Sequence, residues 1–168
     1  MKKLFVTLLV MVAAMTAPYT AKAIEDPFPT GTMIVGAQAG FYPGIGGSLY
    51  GDYVLVDSWW KGHFTVGAQL GFRHWNYGGE FHWVYNDIAL APRATYGLNI
   101  TDIFEVHVGA LAGLGMRFYG GGSDSALDLC YGPIAGIRLF FAENVALSAE
   151  FNYSNFGTYA NAGLAFRF

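Results

Sequence analysis

The sequence predicts an all-β protein, an eight-stranded antiparallel transmembrane β-barrel of the up-and-down type, preceded by a cleaved signal peptide. Of its 168 residues, 54% are hydrophobic and only 12% are charged, about half the charged share of ordinary soluble domains. Beyond the N-terminus, no apolar run approaches the ~18 residues that a transmembrane helix needs. Instead, apolar and polar residues alternate in eight segments, which is typical of β-strands. A closed barrel is the remaining way to satisfy every backbone polar group in lipid.

The N-terminus has the layout of a secretory signal peptide. Met1, Lys2 and Lys3 form a short positive region, an apolar stretch follows, and residues 21–23 form an Ala-Lys-Ala cleavage site. The alternative, a retained membrane anchor, is disfavoured because the apolar run is too short to span a bilayer. We therefore expect residues 1–23 to be removed and residues 24–168 to form one outer-membrane β-barrel domain.

Composition excludes several other classes of protein. Removal of Lys2, Lys3 and Lys22 leaves six of the nine basic residues against 12 acidic ones, whereas a nucleic-acid-binding surface is basic. Disorder requires low hydrophobicity and high net charge. The single Cys130 cannot form an internal disulfide.

The eight alternating segments are joined by two kinds of connection. The predicted strands are residues 33–42, 48–56, 63–75, 88–99, 104–118, 129–141, 145–154 and 159–168. Connections 43–47, 76–87, 120–128 and 155–158 are rich in Gly, Asn, Asp and Ser and alternate with mostly tighter turns. Outer-membrane barrels have longer external loops and short periplasmic turns. This order therefore predicts that both chain ends lie in the periplasm.

The polar face of the strands decides between a membrane barrel and a soluble one. This face carries many glycines and five arginines, whereas a water-facing surface would be filled with Lys and Glu. An Arg that faced lipid would cost ~2–4 kcal/mol at the bilayer midplane, so the arginines should point into the barrel. A narrow eight-stranded lumen has room for small residues and a few interlocking polar ones. We therefore predict a structural polar network in the lumen, formed by Asp52, Arg73, Arg93, Glu105, His107, Arg117, Arg138, Glu150 and Arg167.

A simple hairpin register around the turn at 142–144 refines this network. It places Gly136 opposite Glu150 and Arg138 diagonal to Glu150, while the hairpin with the fifth strand places Arg138 near His107 and Glu105. Arg138 is then expected to bridge two carboxylates, since buried charges persist when they are paired. The network is expected to plug and order the lumen; the alternative is a gated ion path.

Aromatic residues cluster near both predicted rims. Trp75, Tyr77, Trp83 and Tyr85 lie near one rim, and Phe104, Phe141, Phe166 and Phe168 lie near the other. The apolar face is expected to meet lipid, and these two groups are expected to form aromatic girdles at its borders.

Residues 132–144, 147–153 and 161–168 together resemble the closing hairpin of small OmpA/OmpX-type outer-membrane barrels. Residues 92–96 and the glycine-spaced stretch 108–115 are similar to the middle strands of that family. The resemblance implies an eight-stranded barrel with periplasmic termini and a barrel-assembly signal at Phe166 and Phe168. It also implies contact with outer-membrane lipid and lipopolysaccharide, and with the barrel-assembly machinery and periplasmic chaperones during biogenesis.

The sequence predicts no catalytic, cofactor or metal site. His63, His74, His82 and His107 lack the close ligand spacing of a metal site. Some small barrels modify lipid A with a His and a Ser, but no His-x-Ser occurs here. We expect a structural or interaction protein that is not an enzyme, with a largely plugged lumen. The alternatives are a small porin, a surface adhesin or receptor acting through its loops, and, least favoured, a lipid A-modifying enzyme.

Overall fold

The predicted barrel is confirmed. A computed structural model describes residues 28–60, 62–77, 83–120 and 124–168, so the expected signal peptide lies outside the described residues. The eight strands are β1 (Met33–Phe41), β2 (Ile45–Trp59), β3 (Gly62–Tyr77), β4 (Trp83–Thr101), β5 (Phe104–Tyr119), β6 (Ser125–Ala142), β7 (Val145–Asn152) and β8 (Ala160–Arg167). Each strand pairs antiparallel with the next, and β8 pairs with β1 to close the ring. Within these ranges, no helix is long and apolar enough to cross a membrane.

The strands are of unequal length. Strands β3 to β6 have 16, 19, 16 and 18 residues, whereas β1, β7 and β8 have nine, eight and eight. Four strands are longer than the sequence predicts. Strand β2 begins at Ile45 and not at 48, β3 ends at Tyr77 and not at 75, β4 begins at Trp83 and not at 88, and β6 begins at Ser125 and not at 129. Backbone pairing continues through stretches whose side chains do not alternate in polarity, so the alternation ends before the strand does.

The barrel has two distinct ends. The termini end holds the last residue, Phe168, and the turns after β2, β4 and β6, while the loop end holds the turns after β1, β3, β5 and β7. At the termini end, the backbones of Met33 and Phe168 exchange two hydrogen bonds of 3.0 and 2.9 Å. The first and last strands are therefore joined at this end by the ladder that closes the barrel.

The two faces of the wall have opposite polarity. Burial alternates residue by residue along β1 and β7 because side chains in a strand point alternately to the two faces. Outward-facing Val108, Leu114 and Leu147 are 40–54% exposed, whereas inward-facing Arg93, Glu105 and Arg138 are at most 2% exposed. The apolar residues are outside and the charges inside, the reverse of a soluble domain.

Apolar layers lie on either side of the central charges in the lumen. The layer at the termini end contains Phe28, Ile34, Tyr50, Val54, Phe140, Ala146 and Ala165. The second layer, toward the loop end, contains Ala89, Ala91, Leu111, Cys130, Ile134 and Phe156. On β4, Ala89 and Ala91 separate Asp87 from Arg93, so the second layer divides the charged lumen into two clusters.

Candidate functional site

Six charged or titratable side chains from five strands meet in the middle of the lumen. We call them the central ionic cluster: Asp52 on β2, Arg93 on β4, Glu105 and His107 on β5, Arg138 on β6 and Glu150 on β7. Each is at most 3% exposed. All six belong to the set of lumen residues that the alternation pattern indicated.

Arg138 joins two carboxylates from opposite sides of the barrel. Its Nη1 donates to Oε1 of Glu105 at 2.7 Å, and its Nη2 donates to Oδ2 of Asp52 at 3.2 Å. Glu105 was expected from the hairpin register, and the two residues are indeed opposite in the β5–β6 pairing. The second carboxylate differs from the expected Glu150, because the long Arg138 side chain crosses the lumen to β2, a contact that neighbouring-strand register does not describe.

Arg93 holds Glu150 and shares Asp52 with Arg138. Its Nη2 lies 2.8 Å from Oε1 of Glu150, and its Nε lies 3.1 Å from Oδ1 of Asp52. Its Nη1 also donates to Oε1 of Gln69 at 2.8 Å. The Tyr50 ring faces both guanidinium groups, with Arg93 Cζ at 4.4 Å and Arg138 Cζ at 5.6 Å from the ring centroid. The arginines and carboxylates therefore form one connected network.

Two histidines border the carboxylates of this cluster. The Nδ1 of His107 lies 3.4 Å from Oε1 of Glu105, and its Nε2 lies 3.1 Å from Oε1 of Glu150. The Nε2 of His63 lies 3.6 Å from the same oxygen of Glu105. Three carboxylates face two guanidinium groups here, so the excess negative charge lies beside the two imidazoles.

Sequence reasoning missed three members of this neighbourhood, Tyr50, His63 and Gln69. Parity along the strands could have found all three, since His63 and Gln69 share the inward face of β3 with Arg73, and Tyr50 shares the inward face of β2 with Asp52. The spacing of His63 in the sequence bears only on a metal or catalytic role, not on the lumen network. In the part of the chain that the structure describes, no group of His, Cys, Asp and Glu side chains could hold a metal ion. His74 lies near the loop end with Nδ1 at 2.8 Å from Oδ1 of Asn86, and His82 lies outside the described residues.

A second charged group, the loop-end cluster, consists of Arg73, Asp87 and Arg117. Asp87 is opposite both arginines in the strand register. Arg73 Nε donates to Oδ2 of Asp87 at 3.0 Å, and Arg117 Nε donates to Oδ1 at 2.7 Å. Arg73 also donates to the backbone oxygens of Gly157 and Asn155 at 2.8 and 3.0 Å. The alternation pattern predicted both arginines but missed Asp87, although it has the inward parity of Arg93.

Trp75 and Tyr85 correct the predicted aromatic girdle. They were expected on the lipid face, but they share the inward parity of Arg73 and Asp87 and stack on each other with centroids 4.5 Å apart. Arg73 and Arg117 lie over the Trp75 ring at 5.2 and 5.7 Å. These two rings therefore cover the loop-end cluster from inside the barrel. The other two residues predicted for this girdle, Tyr77 and Trp83, have side chains that the structure does not describe.

The aromatic residues predicted for the other rim have more varied exposure. Phe141, Phe166 and Phe168 are exposed, and Phe104 is half-buried. Phe166 and Phe168, the predicted assembly signal, lie at the end of β8, beside the N-terminal end of β1.

Arg167 lies apart from both ionic clusters. Its guanidinium group lies over the rings of Phe140 and Phe28 at 4.6 and 5.2 Å, and it donates a hydrogen bond to the backbone oxygen of Glu143. The sequence placed it in the polar network, but the structure places it at the mouth of the termini end.

A small cavity lies beside the second apolar layer of the lumen. A cavity of about 10 Å³ lies among side chains that include Gln69, Ala91, Leu111 and Cys130. That volume is at the lower limit for one water molecule.

The sequence matches no protein-family model and no curated protein, but the fold resembles solved structures. A designed transmembrane β-barrel matches at a TM-score of 0.50 and 14% identity, over 83% of this chain and 97% of the other. Ail, the attachment invasion locus protein of Yersinia pestis, in complex with the heparin analogue sucrose octasulfate, matches at 0.52 and 15% identity, over 82% and 97%.

The chain has the fold of a transmembrane β-barrel. Identities this low establish the shared architecture alone. The function of the barrel therefore depends on what its own residues can do.

Proposed function

We propose that this chain is an integral bacterial outer-membrane protein of the small OmpA/OmpX type, with a structural or interaction role and a lumen plugged by its own side chains. The central ionic cluster carries this proposal. Six buried groups from five strands occupy the middle of the lumen, where an eight-stranded barrel is just wide enough for side chains to fill. On this proposal, folding is assisted by periplasmic chaperones and the barrel-assembly machinery.

The outer surface supports a position in lipid. Outward-facing Leu90, Leu129 and Phe141 are 60–62% exposed, and contiguous apolar surface of this kind marks a membrane or protein contact. The arginine and carboxylate side chains of the central ionic cluster all point inward. The predicted signal peptide and the loop pattern favour the outer membrane, with both termini in the periplasm and lipopolysaccharide against the outer surface.

The pairing of charges supports a plug over a pore. Removing one partner of a buried ion pair costs about 3–5 kcal/mol, because the other charge is left without compensation. An ion crossing the lumen would have to separate Arg138 from Glu105 or Arg93 from Glu150, which are 2.7 and 2.8 Å apart. It would then have to cross the second apolar layer.

Planar-bilayer conductance tests this proposal. We expect no stable, large single-channel steps from the purified barrel, while a porin reconstituted in the same way provides the positive control. A double variant, Arg93→Ser with Arg138→Ser, removes both cations of the central cluster and should admit ions more readily if it folds. Stable large steps from the unaltered chain would show that the lumen is a channel.

A surface-binding role is the second candidate. Strands β3 to β6 are about twice as long as β1, β7 and β8, so they can carry their two connecting loops farther from the barrel. Ail was crystallised with a heparin analogue, but the only lysine after residue 22 here is Lys61, which lies between β2 and β3 and not in those loops. Charge therefore favours a partner that is not a polyanion.

Binding measurements on the purified barrel test the surface role. Host-cell surface proteins would be presented to the unaltered chain and to a variant with residues 78–82 replaced by a Gly-Ser segment. A variant with the turn 143–144 replaced, at the opposite end, serves as the control. Saturable binding that only the first replacement abolishes would support a receptor or adhesin.

Enzyme activity is the least supported function. His63 and His107 are each 1% exposed and face Glu105 inside the lumen, so neither lies on the surface that would meet a lipid. Incubating the barrel with lipopolysaccharide and measuring its acyl chains by mass spectrometry tests this. A time-dependent change in acyl composition would establish the enzymatic alternative.

A further inference from the structure

The segment before β1 turns back across the mouth of the barrel. Phe28 is completely buried, although it lies five residues before the first strand. Its ring centroid lies 4.3 Å from that of His63 on β3 and 5.6 Å from that of Phe140 on β6. Arg167 on β8 places its guanidinium group 5.2 Å from the same ring. Phe28 therefore contacts three separate parts of the wall at the termini end.

The backbone of this segment is held in its turn by specific bonds. Gly31 N donates to Val54 O at 3.0 Å, and Val54 N donates to Thr32 O at 2.9 Å, so pairing with β2 continues beyond β1. Thr32 N then donates to Pro29 O at 3.0 Å, which closes a tight turn. Gly31 has a φ of +99°, a conformation that favours glycine, and it allows the chain to reverse toward the lumen.

A side-chain clasp fixes the turn to the end of β2. Thr30 N donates to Oδ2 of Asp57 at 3.1 Å, and Asp57 N donates to Oγ1 of Thr30 at 3.2 Å. These two bonds are reciprocal and lie on the exposed rim. They can therefore be removed without touching the lumen.

We propose that residues 28–32 form a latch that closes the lumen at the termini end, with Phe28 as its stopper. The latch covers Ile34, Val54 and Ala146, which are completely buried, and shields His63 behind them from water. Burying a Phe side chain favours the closed position, and a guanidinium group over an aromatic ring adds to it. A single ring in its pocket is a small part of the stability of a barrel, so the latch can open without unfolding the wall.

The segment and the wall differ in how they are held. The wall has continuous ladders on both sides of every strand, whereas residues 28–32 are held by the ladder extension to β2, their own turn, the clasp and the packing of the Phe28 ring. A short segment at the end of the sheet opens at a lower free energy than the sheet that it covers. The inference does not depend on the lumen being closed to ions.

Thiol labelling at two depths tests the latch in the mature chain refolded in lipid vesicles. Val54→Cys with Cys130→Ser places one thiol behind Phe28. The native Cys130, in the second apolar layer, is the matched control in the chain without those changes. Each of these two single-thiol chains is combined with Phe28→Ala and with Phe28→Leu. Every thiol is then labelled with a small charged methanethiosulfonate reagent.

We expect Phe28→Ala to raise the labelling rate of the thiol at position 54 by roughly tenfold or more, since reactivity follows the population of the open state. Phe28→Leu keeps most of the apolar volume and should raise that rate much less. Asp57→Ala removes one of the two clasp bonds, the one that Thr30 N donates to the carboxylate, and should give an intermediate rise, which keeps the test informative if Phe28→Ala folds poorly. Cys130 should stay slow throughout.

Two results would overturn the latch. One is a labelling rate at position 54 that is the same with and without Phe28→Ala in the folded, heat-modifiable barrel. The other is an equal rise at Cys130, which would mean that the whole lumen had loosened. A conducting barrel would defeat the proposed plug but would leave this comparison of rates valid.

Discussion

Arg138 and Glu105 form a direct ion pair in the middle of the lumen, with Nη1 and Oε1 2.7 Å apart. The two residues are opposite each other on neighbouring strands, and both side chains are at most 1% exposed. Arg138 reaches a second carboxylate, Asp52, on the far wall. One side chain thus ties three strands together through a contact from which water is excluded.

Replacing Arg138 by Met should be strongly destabilising. It leaves Glu105 and Asp52 buried with one cation fewer, and we expect a loss of about 3–5 kcal/mol in unfolding free energy. Arg117→Met is the matched control and should cost less, because Asp87, although only 1% exposed, keeps Arg73 as its partner. Urea titration in lipid vesicles measures both. Equal losses would mean that the missing cation is not what destabilises the Arg138 variant.

Adding Glu105→Gln to Arg138→Met should recover part of this loss. The second change removes one of the carboxylates that the first leaves uncompensated, so the two effects should not add. If the loss of unfolding free energy in the double variant equals the sum of the losses in the two single variants, Arg138 and Glu105 do not stabilise the barrel through their interaction.

The two faces of the wall should respond differently to the size of a substituted side chain. Val108 is 40% exposed on the outer face, so Val108→Leu should be nearly silent in lipid, whereas Val108→Arg should cost ~2–4 kcal/mol near the midplane. A Cβ at Gly136 would lie 2.5 Å from Nε2 of His107 and 2.7 Å from Cγ of Glu150. Gly136→Leu should therefore destabilise by at least ~1–3 kcal/mol through overpacking.

Urea titration of these three variants in vesicles decides the orientation of the wall. The order expected is Val108→Leu least affected, with Val108→Arg and Gly136→Leu both clearly destabilised. A neutral Gly136→Leu together with a damaging Val108→Leu would place lipid on the other face, and the membrane location would be wrong.

Thr65 and Thr95 offer a separate test of how dry the lumen is. Their hydroxyl oxygens lie 2.7 Å apart on β3 and β4, and both residues are at most 2% exposed. Thr65→Val or Thr95→Val alone leaves a buried hydroxyl without this partner and should cost about 1–3 kcal/mol. The double variant should be closer to neutral, because both polar groups are gone. If water reaches the site, the single variants will be nearly neutral too.

Phe168 should matter more in the cell than in refolding. Its backbone closes the barrel with Met33, while the residue is 75% exposed. Phe168→Ala keeps the backbone bonds, so it should refold in vesicles like the unaltered chain but accumulate less as folded protein in the outer membrane. Deleting Phe168 also removes the backbone bonds to Met33, so it should reduce both refolding in vesicles and the amount of folded protein in the outer membrane. Normal cellular levels of Phe168→Ala would count against an assembly signal in this residue.

The strand pattern could be predicted because alternation is local. Each strand shows its two faces directly in the sequence, so the eight segments and the inward parity of Arg93, Glu105 and Glu150 followed without a structure. Trp75 and Tyr85 have inward parity, so their aromatic character alone predicts the wrong face. Asp87 lies in a polar stretch that is typical of a loop, which hides its inward parity.

The number of strands, their two faces and the registers next to tight turns follow from the sequence alone, because each depends on residues close together in the chain. The charges that meet across the lumen are known only from the folded barrel. Asp52 and Arg138 are 86 residues apart, and Phe28 and Phe140 are farther. Such contacts depend on barrel closure and on the reach of individual side chains, which local alternation does not encode.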